Sequence, residues 1–392
     1  MNFRTHFLER QFDFDQVMAA AAKQPWIGYD TEFIGEKTYI PVLCLMQVIV
    51  EQDIYLIDTL RINDLSTFLA ILEDPEVLKI THAGDNDYRL LNTLYGTVPK
   101  NTFDTQIAAG FVGYNYPAGF GRIVERELGI QLAKSHTVTD WSTRPLDKKA
   151  VDYAVEDVKY LPELHAKLTR KLQKAHRQSW TVEENRKWET PGFYVNDPYK
   201  EVLSNDYIHQ LDQKGQVFLM RLYQWRRDKA AELNVPKDRI LELRHVSNIV
   251  RGIKDGAAGF RANRTLNENV WRKHIEDWQE LWRANPTEAE KTFLDTLPQP
   301  AAEDPEHEWT MEQLYHLVKK QCLEHEISAA LLLPRGDFNK LKDRTGTFDT
   351  SILSGWRAEL LGQNLVNWLL KGGEMKVRWE GNVCLLEPPV KN

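Results

Sequence analysis

The chain has almost no cysteine. Cys44, Cys322 and Cys384 are the only three in 392 residues, too few and too scattered for a disulfide framework or a Cys-x-x-Cys zinc site. They read as reduced thiols, the ordinary state in a cytosol. Long apolar runs are also missing. The opening MNFRTHFLERQFDFDQ has no apolar stretch of the kind a secretory signal carries. The longest such stretch near it, Val42 to Val50, is interrupted by Gln47 and falls far short of the roughly 20 residues that span a bilayer. No GxxxxGK[ST] run is present, and Gly119-Phe120-Gly121 lacks GxGxxG spacing, which argues against a nucleotide-driven motor or a dinucleotide site. The expectation is a cytoplasmic monomer with no membrane partner and no small-molecule cofactor. A surplus of positive charge is absent too. The formal net charge is -7, which read globally disfavours a nucleic-acid partner. Locally the sign reverses: His209 to Arg283 holds 15 Lys/Arg against 10 Asp/Glu, and local charge decides what a phosphate-binding face can do.

What is present describes a folded protein of more than one domain. Hydrophobic residues at 42% and charged residues at 27% exclude a disordered chain, a collagen and a coiled-coil rod, and the length predicts two or three domains. Trp26 to Asp30 is a compact apolar run that ends in an acid. Val42 to Val50 and Ile54 to Ile57 read as strands joined by a Glu51-Gln52-Asp53 hairpin turn. Ile62 to Glu73 has helical spacing and is stopped by Asp74-Pro75. Val77 to Thr81 reads as a strand. Helices are predicted over Asp85 to Tyr95, closed by Gly96, over Phe103 to Phe111 and over Phe120 to Leu128. This order implies an α/β layer fold with a mixed sheet and flanking helices, the first three strands forming an antiparallel meander. From about Tyr207 the pattern is all helix, led by Leu211 to Leu233 and ended by Pro236. Leu297 to Glu306, rich in Pro and acids, reads as a linker, and Thr310 with Gln313 as a capping box. The predicted division is 1–205, an α/β domain; 206–294, a helical module; 295–309, a linker; and 310–392, a second helical module.

Three acidic elements stand out. In Tyr29-Asp30-Thr31-Glu32-Phe33, Asp30 and Glu32 share one strand face because side chains alternate. Two carboxylates at the end of a buried strand are costly as unpaired anions, and an oxygen-only ligand set suits Mg²⁺ or Mn²⁺ better than zinc. His82-Ala83-Gly84-Asp85-Asn86-Asp87 follows a strand, at the end where α/β sites form. There Asp85 suits a helix N-cap, leaving Asp87 one turn in and free for a metal. In Asp152-Tyr153-Ala154-Val155-Glu156-Asp157, Tyr153 and Asp157 stack one helical turn apart, beside a core stripe of Val151, Ala154, Val155, Val158 and Leu161. Each element alone has an ordinary structural explanation; their order along one chain is what is specific.

That order, acid-x-acid on the first strand, an acid after a later strand and Tyr-x-x-x-Asp on a late helix, resembles the tyrosine-bearing branch of the DEDD 3′–5′ exonucleases. The histidine-bearing branch would place a His at Asp152. Trp26-Ile27-Gly28-Tyr29-Asp30-Thr31-Glu32-Phe33, Thr38-Tyr39-Ile40-Pro41, His82-Ala83-Gly84, Phe103-Asp104-Thr105-Gln106 and Thr139-Asp140-Trp141-Ser142-Thr143-Arg144-Pro145-Leu146 narrow the resemblance to the ribonuclease D family over about residues 20 to 170. Leu222-Tyr223-Gln224-Trp225-Arg226-Arg227, followed by Pro236, is similar to the first helix of the HRDC module, and size and position suggest a second such module after residue 310. The resemblance implies a ribonuclease H-like exonuclease domain followed by two all-α, HRDC-like modules.

It also implies a chemistry. Asp30, Glu32, Asp87 and Asp157 would be the metal ligands, with Asp30 bridging two divalent cations, Mg²⁺ or Mn²⁺. Four carboxylates suffice to hold two such ions roughly 3.5–4 Å apart. Tyr153, with an ordinary phenol pKa of about 10, suits orienting the attacking water better than abstracting its proton. Asp104, acidic but outside the four, reads as a structural neighbour. The expected reaction is hydrolysis from single-stranded RNA 3′ ends, tRNA precursors by resemblance, releasing nucleoside 5′-monophosphates. Phe33, with Tyr29 or Tyr39 as lesser candidates, would stack on a terminal base. Arg226, Arg227, Lys229, Arg261 and Arg264 are candidate phosphate contacts. Two alternatives stand beside this reading. One is a DNA exonuclease on the same fold. The other is an inactive nucleic-acid scaffold, which predicts the loss of at least one of the four acids; all four are present.

Overall fold

The structure, a computed structural model, describes residues 3–132, 139–195, 199–203, 205–263, 266–297, 304–342, 354–362, 376–380 and 383–387. The chain divides into two compact units. The first gathers residues 1–32, 44–193 and 301–392, the second residues 33–43 and 194–300.

The first unit is built on a sheet of six strands: β1 (Arg4–Leu8), β2 (Trp26–Ile34), β3 (Val42–Val50), β4 (Asp53–Ile57), β5 (Leu78–Thr81) and β6 (Thr102–Asp104). They lie in the order β1-β4-β3-β2-β5-β6. β3 and β4 form the expected antiparallel hairpin, with Val50 opposite Asp53, and Glu51 takes a left-handed backbone, φ 54°, in its turn. β2, β5 and β6 are parallel neighbours. β2 adjoins β3, and only residues 35–41 join them. A parallel return would need a crossover of a dozen residues or more, so these two strands run antiparallel. The helices are α1 (Gln11–Ala21), α2 (Ser66–Glu73), α3 (Asp85–Tyr95), α4 (Thr105–Gly110), α5 (Phe120–Leu128), α6 (Lys148–Lys159), α7 (Leu161–Lys174) and α8 (Gln178–Asn185). The mixed sheet with flanking helices agrees with the expected fold class. β3 is buried along nearly its whole length, as a strand covered on both faces must be.

Three local expectations need correcting. The pair β1 and α1 was not foreseen: β1 is an edge strand, parallel to β4, with four of its five residues exposed, so it carries no apolar signature. Phe103 belongs to a strand and not to a helix. The helix begins at Thr105 because the Asp104 side chain accepts the N–H groups of Gln106 and Ile107, closing off its first turn. Thr310 opens no helix. The helix Pro305–Glu324 starts earlier, capped by Asp304 with Pro at its first turn, and the Thr310 hydroxyl bonds back to the Glu306 carbonyl.

The segment expected as a separate all-helical module from residue 310 groups with the sheet unit. It is not all helix, since β7 (Lys376–Glu380) and β8 (Val383–Glu387) pair antiparallel. Ser328 N–H donates to the Gly110 carbonyl at 2.8 Å. Trp356 on the helix Gly355–Leu361 is fully buried. Its ring lies 4.8 Å edge-on from Phe111 and stacks 5.8 Å from Trp180. Its indole N–H donates to Glu184 at 3.0 Å, and Arg357 pairs with the same carboxylate at 2.8 Å.

The second unit is helical around Gln213–Glu232. Leu219, Leu222, Ile249, Phe260 and Trp278 lie in its core. Arg221 ties it together, chelating Glu290 at 2.6 and 2.7 Å and donating to the carbonyls of Leu281, Ala284 and Asn285. Asn234 Oδ1 accepts from the N–H groups of Tyr39 and Ile40, each at 3.2 Å, which explains why residues 33–43 group with the helices. Of the expected linker 295–309, residues 298–303 lie outside the described residues, and 305–309 belong to the helix Pro305–Glu324.

Trp356→Ala removes a buried indole, its two aromatic partners and the Glu184 hydrogen bond. Substitutions of this kind cost about 3–5 kcal/mol. The expected outcome in differential scanning calorimetry is a lower melting temperature for the transition of the sheet unit, with the helical unit's transition unmoved.

Candidate active site

The β2 strand sets the first two acids. Gly28, Asp30 and Glu32 alternate onto one face. Gly28 is what lets the neighbours close in: a Cβ there would fall 2.7 Å from Ile49 Cγ2 and 3.3 Å from Leu161 Cδ1. This face therefore looks toward the start of α7. The third acid comes from α6, opened by Asp147, whose side chain accepts the Ala150 N–H. Ala150, Ala154 and Val158 form its buried stripe, and Tyr153 and Asp157 lie one turn apart on the flank. Asp30, Glu32 and Asp157 each present a carboxylate oxygen, and the three oxygens lie within 4.8 Å of one another. The Tyr153 hydroxyl donates to Asp157.

Asp87 stands apart from this trio. It is buried on α3 and accepts a hydrogen bond from Thr31 Oγ1, and its charge is felt by Glu32 and Asp157. Asp85 does not cap the helix as the sequence suggested. Gly84 holds that position, and Asp85 pairs with Arg89 at 2.6 Å. Asp104 is outside the cluster. Its carboxylate accepts from the backbone of Ala83 and Gly84, both at 3.0 Å, and from Gln106 at 2.8 Å. One side chain thus fixes both the turn that launches α3, where Ala83 has a left-handed φ of 55°, and the start of α4.

Two supports went unread in the sequence. Thr31, inside the Asp-Thr-Glu run, holds Asp87. Arg144 chelates the fully buried Asp58 with two bonds of 2.8 Å and also donates to the carbonyls of Cys44, Trp141 and Thr143. Trp141 in turn lies 6.1 Å from the Tyr153 ring. The signal for Arg144 was present in the Trp-Ser-Thr-Arg-Pro-Leu run, but its partners lie 86 and 100 residues away.

Electrostatically the site is loaded. Burial, then the Asp157 charge, pushes Asp30 up to about 8. Burial and the charges of Asp30, Asp157 and Asp87 push Glu32 up to about 9. Burial raises Asp157 to about 7 against the opposing Tyr153 hydrogen bond. Asp87 is raised well above the carboxylate range by burial and by Asp30. Tyr153 is raised by burial and by the carboxylates around it. Among the described residues, no salt bridge joins any of the four acids to a basic side chain, and the buried Asp157 Oδ2 has no hydrogen-bond partner. An oxygen-only donor set, crowded carboxyl groups without a counter-charge and an orphaned carboxylate oxygen fit a divalent cation.

The expected nucleic-acid contacts fare differently. Phe33 is half-buried just past Glu32. Tyr29 is fully buried with its ring edge-on to Phe68 and Tyr88, so it is core and not a stacking platform. Arg226 is buried, donating to the Leu241 carbonyl at 2.6 Å and to Asp238 at 2.5 Å. Arg227 is buried and donates to Gln224 at 2.6 Å. Both arginines serve the helical unit's own packing and are withdrawn as phosphate contacts. Lys229 pairs with Glu232 at 3.0 Å, Arg261 is exposed, and Arg264 lies outside the described residues.

The family model described as 3′-5′ exonuclease matches residues 5–173, the stretch that carries all four acids and Tyr153, and the class is that of a hydrolytic 3′–5′ exoribonuclease. The ribonuclease D of Sphingobium indicum is 31% identical over 374 residues, covering 92% of this chain and 95% of that protein. The ribonuclease D of Escherichia coli is 31% identical over 358 residues, covering 88% and 93%. The crystal structure of Escherichia coli RNase D superposes with a TM-score of 0.81 at 29% identity over 95% of this chain and 100% of that one. The chain belongs to the ribonuclease D family.

The raised carboxyl groups give a signed prediction. A carboxyl with its folded pKa above its unfolded value of about 4 contributes stability while protonated, and that contribution is lost as pH climbs through the folded value. In the chelator-stripped protein the melting temperature is expected to fall as pH rises from 6 to 9. Mn²⁺ is expected to raise it, and by more at pH 8 than at pH 6. A melting temperature flat across this range and unmoved by Mn²⁺ would contradict the electrostatics described.

Proposed function

We propose that this chain trims single-stranded 3′ ends of structured RNA precursors, tRNA precursors among them, in the cytoplasm and as a monomer, with two divalent cations (Mg²⁺ or Mn²⁺) held by Asp30, Glu32, Asp87 and Asp157. The observation that carries the reading is the convergence of three carboxylate oxygens within 4.8 Å from residues as far apart as Asp30 and Asp157. The RNA class is supported by the Escherichia coli structure, whose description is an exoribonuclease involved in structured RNA processing.

When bound, cations at such a carboxylate set activate water and stabilise the charge that develops on the departing 3′ oxygen. The protein's own groups do the rest. Asp30 and Glu32, on a strand, and Asp157, on a helix, are held by rigid elements, so the ligand oxygens need little rearrangement. Tyr153 is raised above its ordinary value and stays a phenol at neutral pH. It acts as a hydrogen-bond donor that orients the attacking water and Asp157, not as a base. Phe33, half-buried and the residue after Glu32 in the chain, is proposed to stack on a terminal base. The helical stretch 206–294, read as an HRDC module, positions the RNA backbone through Lys229, Arg261 and Arg264. Cleavage leaves the phosphate on the released nucleoside 5′-monophosphate.

Four measurements test this. Asp30→Asn is expected to abolish release of nucleoside 5′-monophosphates from a 5′-labelled RNA while RNA binding persists, and EDTA is expected to abolish it reversibly. Cleavage that survives either treatment overturns the reading. Tyr153→Phe is expected to lower kcat by about 10²-fold or more with KM little changed. Matched tRNA-precursor and DNA oligonucleotides then settle the substrate, with faster hydrolysis of the RNA expected.

A further inference from the structure

β3 carries a polar side chain that the chemistry above does not use. Gln47 is fully buried in the middle of the sheet, and both its Nε2 and its Oε1 lack a hydrogen-bond partner. A buried amide with both ends unsatisfied costs free energy, and in native proteins such a group calls for a functional explanation or an unseen partner.

Its position supplies one. Ile49 Cγ2 lies against the Cβ position of Gly28, so Ile49 of β3 sits across from Gly28 of β2. The two strands are antiparallel. Two steps forward along β2 reach Asp30, and two steps back along β3 reach Gln47. Alternation keeps both on the face shared by Gly28 and Ile49. Residues facing each other in this way have Cβ atoms about 4.5–5.5 Å apart. The unsatisfied amide is therefore the cross-strand neighbour of an acid in the cluster. On its other side Gln47 faces Leu56 of β4, which offers no polar side chain.

We infer that Gln47 is a positioning residue of the carboxylate site, its Nε2–H serving as the hydrogen-bond donor to the Asp30 carboxylate, directly or through one ordered water, when that carboxylate is charged and holds a cation. An ionised Asp30 needs donors as well as a cation, and a neutral amide supplies one without competing for the metal. Partners of this kind that orient ligands typically change metal affinity or activity by about 10–100-fold when removed. The inference rests on the proposed function.

The test uses Gln47→Met, close in volume but without polar atoms, in the full chain. The readouts are Mn²⁺ affinity by titration calorimetry, melting temperature, and kcat and KM on an RNA oligonucleotide. The expected result is a melting temperature equal to or above that of the parent, Mn²⁺ binding weaker by about 10–100-fold, and a fall in kcat with KM nearly unchanged. An amide that is only a packing defect gives a raised melting temperature with parental Mn²⁺ affinity and kcat, and that result overturns the inference. Should Gln47→Met fail to fold, the unsubstituted protein crystallised with Mn²⁺ decides. A Gln47 Nε2 within 3.2 Å of the Asp30 carboxylate, or of a water that itself bonds it, supports the role, and an amide with neither contact refutes it. A parent protein that binds no Mn²⁺ and cleaves no RNA sinks the proposed function itself, a failure distinct from that of the variant alone.

Discussion

The desolvation and crowding of half-buried carboxyl groups is the constraint on which the rest of the structure depends. Asp30, Glu32 and Asp157 are held close in a setting that raises all three toward neutrality or beyond. Left to local forces such groups would separate or stay protonated. They remain together because two stiff elements hold them. A strand buried between neighbours on both sides supplies the first pair, and a helix anchored by Ala150, Ala154 and Val158 supplies the third. The energy that keeps these groups together comes from the packing of the sheet and helices, and a divalent cation held there would relieve their crowding.

Around this centre lies a layer of hydrogen bonds whose purpose is placement. Asp104 gathers four backbone N–H groups and so fixes the launch of α3. Thr31 holds Asp87 from the strand that carries Asp30. Arg144 spends its guanidinium on Asp58 and three carbonyls, fixing the loop whose Trp141 lies beside Tyr153. Losing one partner of a buried pair like Arg144–Asp58 typically costs about 3–5 kcal/mol, so this loop has little freedom. The clustered carboxyl groups themselves make few protein hydrogen bonds among the described residues, which leaves their oxygens available.

What could be read from the sequence follows the range of the interactions involved. The facing of Asp30 and Glu32 comes from strand alternation, and that of Tyr153 and Asp157 from one helical turn. Both periodicities are local, and both were legible. β1 was not, because an edge strand with four exposed residues has no apolar pattern to show. Phe103 was misplaced because Ile107, Ala108 and Ala109 extend a helical look back over a strand of three residues. Arg226 and Arg227 resemble surface charges in the sequence. Their burial depends on partners such as the Leu241 carbonyl and Asp238, which only the fold brings near. The grouping of the last segment with the sheet is likewise tertiary, set by Ser328 on Gly110 and Trp356 on Glu184.

The excursion of the chain between Glu32 and Cys44 has a consequence for dissection. The backbone leaves the sheet unit right after the second acid, joins the helical unit, where Asn234 holds Tyr39 and Ile40, and returns to the sheet as β3. The chain passes from one unit to the other more than once, so one cut cannot separate them. A fragment ending before residue 194 retains every acid of the site yet leaves the loop between its two central strands untethered. The stretch that follows the second acid takes part of its order from Asn234, 194 residues beyond Ile40.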